Sequence, residues 1–128
     1  MAQQIQSTDN QPDWLDEYEG QLAVDVYQTD SEVVLKAPIA GVKPEDLEIS
    51  ITDEVINIKG ERRHSEEVAR ENFFAQECYW GAFSRSFILP VAVDSQKTEA
   101  HLDKNGILTI RVPKLEKSKT KVVEIKTE

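Results

Sequence analysis

From Leu22 onward, apolar side chains recur at every second position in short runs, and each run is cut by a proline, a glycine or a cluster of turn residues. This pattern restricts the fold more than any other feature. Period two puts alternate side chains on one face of a strand, whereas a buried helix needs apolar residues three and four apart. Leu22, Val24 and Val26 alternate with Ala23, Asp25 and Tyr27, and Val33, Leu35 and Ala37 follow after Thr29-Asp30-Ser31. Leu47, Ile49 and Ile51 form a third run and Ile56 and Ile58 a fourth, while Phe83, Arg85, Phe87 and Leu89 make another that stops at Pro90. Thr98–Leu102 and Ile107–Val112 are joined across Lys104-Asn105-Gly106, where Asn-Gly is the strongest short hairpin signal because both residues accept positive φ. Pro44-Glu45-Asp46 suits a single helical turn that nothing prolongs. Seven or eight short strands with no strong helix predict an all-β fold, an immunoglobulin-like antiparallel sandwich of two sheets.

The runs also divide the chain. Residues 1–20 are expected to be a flexible, mostly polar arm with one apolar patch at Trp14, Leu15 and Tyr18, and 21–113 the β-domain. Within the domain, 61–80 reads as an excursion from the body. Glu61–Asn72 carries charge without an apolar stripe, and it leads into Phe73–Trp80, where the aromatics concentrate. Residues 114–128 read as a lysine-rich solvated tail with one apolar island, Val122-Val123-Glu124-Ile125.

Composition narrows function by exclusion. The net charge is −9, and the first 60 residues hold three basic and thirteen acidic side chains. Such a half repels phosphate, so no nucleic-acid partner is expected. No stretch is long and apolar enough to span a bilayer, and the N-terminus lacks the regions of a signal peptide, so a cytoplasmic protein without membrane contact is expected. The single Cys78 excludes an internal disulfide; among bulky aromatics it reads as a buried, inert thiol. Nothing marks it as paired with His64 or His101. Two isolated histidines do not make a metal site, and no glycine-rich phosphate loop occurs. No catalytic residue, metal or cofactor is expected.

Three features suit a chain that works by binding other chains: the aromatic run Phe73–Trp80 at the end of a charged arm, the apolar island in the tail, and Arg85 on an otherwise apolar face. Together with Ala100-His101-Leu102-Asp103-Lys104-Asn105-Gly106-Ile107-Leu108, they resemble the small heat shock protein, or α-crystallin, family. Asp25-Val26-Tyr27, Ala37–Val42, Glu45-Asp46-Leu47 and Gly81-x-Phe83-x-Arg85-x-Phe87-x-Leu89-Pro90 extend the likeness over about residues 20–126. The resemblance implies an α-crystallin domain and an ATP-independent holdase that binds partly unfolded client proteins and homo-oligomerises. It implies a dimer made by exchanging the Phe73–Trp80 strand, with Phe73, Phe74, Tyr79, Trp80 and Arg85 at the interface. It further implies a groove between Leu47, Ile49 and Ile51 on one strand and Thr98, Ala100 and Leu102 on another, in which the Val123/Ile125 motif of a neighbouring tail docks. The arm before residue 20 is shorter and more polar than the long apolar region often found in the family. A monomeric co-chaperone-like adaptor of related fold is the competing reading.

Overall fold

A computed structural model describes residues 20–52 and 54–128 of the chain. Among them are eight strands: β1 (Gly20–Gln21), β2 (Asp25–Gln28), β3 (Glu32–Pro38), β4 (Leu47–Thr52), β5 (Val55–Arg62), β6 (Gly81–Ile88), β7 (Glu99–Leu102) and β8 (Ile107–Pro113). They form two four-stranded sheets, ordered β1-β6-β5-β4 and β2-β3-β8-β7. The expected all-β sandwich is what the chain adopts, with the apolar members of each alternation turned inward. Leu35, Ile56, Ile58, Leu108 and Ile110 are each no more than 1% exposed. Pro44–Asp46 forms the single turn of 3-10 helix that its proline and acids favour.

Two details of the alternation differ from expectation. The run Leu22–Tyr27 is not one strand. Gly20 and Gln21 pair with Phe83 and Ser84 in the first sheet, in parallel, and the chain then crosses to pair Asp25–Gln28 with β3 in the second. The sheets are therefore not wholly antiparallel. Alternation reports which side chains are buried, and Leu22, 6% exposed, is buried in the crossing itself. The β7–β8 turn is also not centred on Asn-Gly. Asp103 accepts the Gly106 N–H (3.0 Å) on its carbonyl, while its Oδ1 accepts from the N–H groups of Asn105 (2.8 Å) and Ile107 (3.0 Å). The turn is thus Asp103–Gly106, with Gly106 at φ +82°. A Cβ there would lie 2.7 Å from Ala40 Cα, so both the turn and the packed 39–40 loop require glycine.

After β8 the chain stays on the body for several residues. The Lys114 N–H donates to Ser31 O, Leu115 N–H to Ala92 O and Thr120 N–H to Asp30 O. Lys114 is 3% exposed, which corrects the expectation of a solvated lysine.

Candidate interaction surfaces

The strand orders leave different edges on the two sides of the sandwich. β1 and β2 end the sheets on one side, β4 and β7 on the other.

On the β4/β7 side, Leu47, Ile49 and Ile51 pair with Gly60, Ile58 and Ile56 and point inward, yet each is only half-buried. Across from them, Ala100 and Leu102 pair with the buried Ile110 and Leu108, so they share the inward face of β7. Leu102 is half-buried and Ala100 exposed. Thr98 precedes β7, and its hydroxyl donates to Ser95 O (2.7 Å) in the turn that starts the strand. The six residues assigned to a groove are therefore on the two edge strands of this side and its approach. Incomplete burial of apolar side chains at such an edge leaves room for more apolar contact.

On the other side, Arg85 resolves the puzzle of a charge on an apolar face. Its Nη1 donates to the Leu22 carbonyl (2.8 Å), tying β6 to the crossing between β1 and β2. Phe83 lies across Gly60, where a Cβ would come within 2.5 Å of the ring, and the Arg62 guanidinium stacks 5.6 Å from the ring centroid. β2 keeps one edge unpaired among the described residues.

The excursion expected at 61–80 starts two residues later, because Glu61 and Arg62 continue β5, and it begins at a tethered base. Arg63 reaches Asp46 Oδ1 and Glu61 Oε1, each at 3.1 Å. The hydrogen bond and charge of Asp46, then the charge of Glu61, hold its guanidinium above the ordinary arginine pKa. At the far end the Trp80 ring meets His64 edge-on, with centroids 4.7 Å apart, and the Tyr79 hydroxyl donates to Ala82 O (2.5 Å). Between them, Phe73–Trp80 belongs to no strand among the described residues. Phe73 is half-buried, Tyr79 and Trp80 are about 40% exposed, and Phe74 is fully exposed. Cys78 is exposed too, not buried as its aromatic neighbours suggest, because those neighbours themselves lie outside the core. Val123 and Ile125 in the tail are 71% and 87% exposed. The Trp14, Leu15 and Tyr18 patch lies outside the described residues.

Thus the described residues present a part-filled apolar edge, an unpaired strand edge and two apolar segments that no other described residues bury. Among the described residues no three metal-binding side chains cluster, and no helix is long and apolar enough to cross a membrane. The sequence model of the Hsp20/alpha crystallin family matches residues 25–126. The chain belongs to that family.

Relatives agree. Small heat shock protein C2 of Rickettsia felis is 34% identical over 102 residues, covering 80% of this chain and 66% of its own length. The 17.8 kDa class I heat shock protein of Arabidopsis thaliana is 37% identical over 99 residues, covering 77% and 62%. Among solved structures, heat shock protein 16.0 from Schizosaccharomyces pombe matches with a TM-score of 0.69 at 31% identity, covering 85% of this chain and 78% of that one. A small heat shock protein from Xylella fastidiosa also matches at 0.69, with 28% identity and coverages of 85% and 99%. The chain spans 60–66% of the length of the Rickettsia felis and Stigmatella aurantiaca relatives it matches. The fold itself is the α-crystallin domain.

Two structural features near these edges were not legible in the sequence: the crossing at Leu22 that occupies Arg85, and the buried Lys114. A charge in an apolar alternation was the signal for the first, since a half-buried guanidinium needs an acceptor. Nothing in a lysine-rich tail distinguishes Lys114 from its neighbours.

Proposed function

We propose that this small heat shock protein is an ATP-independent holdase, acting in the cytoplasm on partly unfolded proteins and built from strand-exchanged homodimers. The observation that carries the reading is the exposure of Phe74, Tyr79 and Trp80 in a segment without a strand partner among the described residues. Aromatic surface of this kind is costly in water and gains most when a second chain covers it. The unpaired edge of β2 supplies the matching row of backbone groups, so the Phe73–Trp80 segment of one copy pairs with β2 of another. Arg85 acts beside this contact by holding the strap that leads into β2.

The tail acts on the opposite side. Val123 and Ile125 of one subunit fill the edge lined by Leu47, Ile49, Ile51, Thr98, Ala100 and Leu102 of a neighbour. Each branched side chain gains about 1.5–3 kcal/mol on burial. Ordering the tail costs about 1 kcal/mol or more per residue. The net is small, so single tails dock and release readily, and several together hold an assembly through effective concentration. When they release, the same groove and the exchange segment offer apolar surface to a client. Residues 21–113 act as the α-crystallin domain and 114–128 as the extension that carries the tail motif.

Purified protein at several-fold molar excess is expected to suppress aggregation of a heated model enzyme without ATP. Light scattering is expected to give a dimer or larger species at micromolar concentration. A monomer that leaves aggregation unchanged would support an adaptor instead and sink this reading.

A further inference from the structure

The end of the domain holds a charge that the sandwich does not need. Lys114 is 3% exposed, and none of the ion pairs among the described residues involves it. Its Nζ donates to the Thr120 hydroxyl at 3.3 Å. The contact is part-buried and Thr120 itself is exposed, so the hydroxyl receives the ammonium where the otherwise covered Lys114 side chain nears solvent. The geometry around the pair is a closed loop. Lys114 N–H is fixed on Ser31 O (2.8 Å); a 3-10 turn at Glu116–Ser118 reverses the chain, and Thr120 N–H returns to Asp30 O (3.2 Å). Both ends of the loop thus fasten to the same β2–β3 turn. Beyond Thr120 no hydrogen bond to the body occurs among the described residues, and Val122, Val123 and Ile125 are exposed.

We propose that Lys114 and Thr120 are positioning residues for the tail motif, a latch that fastens residues 114–120 to the domain and sets how far Val123 and Ile125 reach. The proposal rests on the tail-docking reading above. With the latch closed, Val123 is three residues from its anchor and can lie at most about 10 Å away; with it open, nine residues allow about 30 Å. A motif on a short tether is presented at higher effective concentration, which falls roughly as the −3/2 power of linker length. Tripling the linker therefore lowers it about fivefold.

The test is amide hydrogen exchange and light scattering on the full chain. Thr120→Val removes the acceptor at nearly constant shape and is expected to speed exchange at Leu115 and at residue 120 about tenfold or more. It is also expected to raise about fivefold the concentration at which species beyond the dimer appear. Thr120→Ser keeps a hydroxyl and is expected to match the wild type in both. In a Lys114→Met background, Thr120→Val is expected to change exchange little, because the ammonium that the hydroxyl accepts from is already gone. Unchanged protection in Thr120→Val, or an equal rise in the Lys114→Met background, overturns the latch. A threshold that stays put in Thr120→Val, although Val123→Ala plus Ile125→Ala abolishes the large species, overturns the positioning role. If that tail double variant leaves assembly untouched, tail docking fails, and the exchange data still decide whether the latch exists.

Discussion

On one side of the sandwich residues 20–24 cross between the sheets, bury Leu22 and give its carbonyl to Arg85; on the other, β4 and β7 end beside each other with Ile49 and Leu102 half-covered. Both sides begin from the same problem. A two-sheet sandwich has two open flanks, and apolar residues near them remain part-wet unless something lies across. The strapped flank uses the chain's own backbone, so its closure is part of folding and cannot be undone without loss of the core. The open flank has no such cover among the described residues, so whatever covers it comes and goes at little cost to the domain. The proposed holdase would gain from this division, since its durable and its reversible contacts would lie on separate edges.

That contrast is broken most directly at Leu22. Leu22→Ala empties an enclosed site, and such truncations cost about 2–5 kcal/mol. The strap leads into β2, so the loss is expected as a lower urea midpoint at fixed protein concentration, together with weaker dimerisation in light scattering. A dimer of unchanged strength would mean that the strap closes the core but does nothing for the exchange edge. Arg85→Met comes next. It removes the charged donor from the Leu22 carbonyl, an interaction of about 1.5–3 kcal/mol. Arg85→Lys keeps a charge but not the planar fork, and is expected to recover only part of that stability. Full recovery by lysine would reduce Arg85 to a charge without geometric demand.

How much of this was written in the residue order depends on what alternation records. Leu47, Ile49 and Ile51 mark β4 because a strand buried on one face carries its burial in alternate residues. The same holds for Phe83–Leu89 and for β8, whereas β7 keeps only Leu102 half-buried. Leu22, Val24 and Val26 keep the period while the backbone changes sheets, since alternation says nothing about hydrogen-bond partners. The Asn-Gly signal located the β7–β8 turn, but Asp103, whose side chain organises it, carries no such weight in a dipeptide rule. Cys78 was misread because aromatic neighbours ordinarily mean a core, and here they belong to a segment left uncovered in its own chain. Both candidate edges were legible as apolar residues, but the flank on which each lies emerges only from the strand order.

On the open flank the expected effects on folding shrink while those on assembly do not. Ile49→Ala trims a half-buried side chain, so its cost is expected near 1–2 kcal/mol, below that of a fully enclosed one. It should nevertheless reduce species beyond the dimer. Equal losses from Ile49→Ala and Leu22→Ala would erase the distinction between the flanks.

The smallest effect on folding, and the sharpest separation, is expected from Val123→Ala plus Ile125→Ala. Both side chains are mostly exposed in the single chain, so their removal deletes no core contact. The unfolding free energy from urea titration is expected to change by less than about 0.5 kcal/mol, as for ordinary surface substitutions. Assembly should respond differently. Each docked tail gains only the surplus of two small burials over the ordering of its own backbone, and trimming both side chains removes most of the gain while leaving the cost. In the proposed assembly several tails act together and their deficits multiply, so light scattering is expected to find fewer species beyond the dimer than in the wild type. Loss of the dimer itself in this variant would show that the tail supports the exchange edge as well, and that the two flanks are not independent.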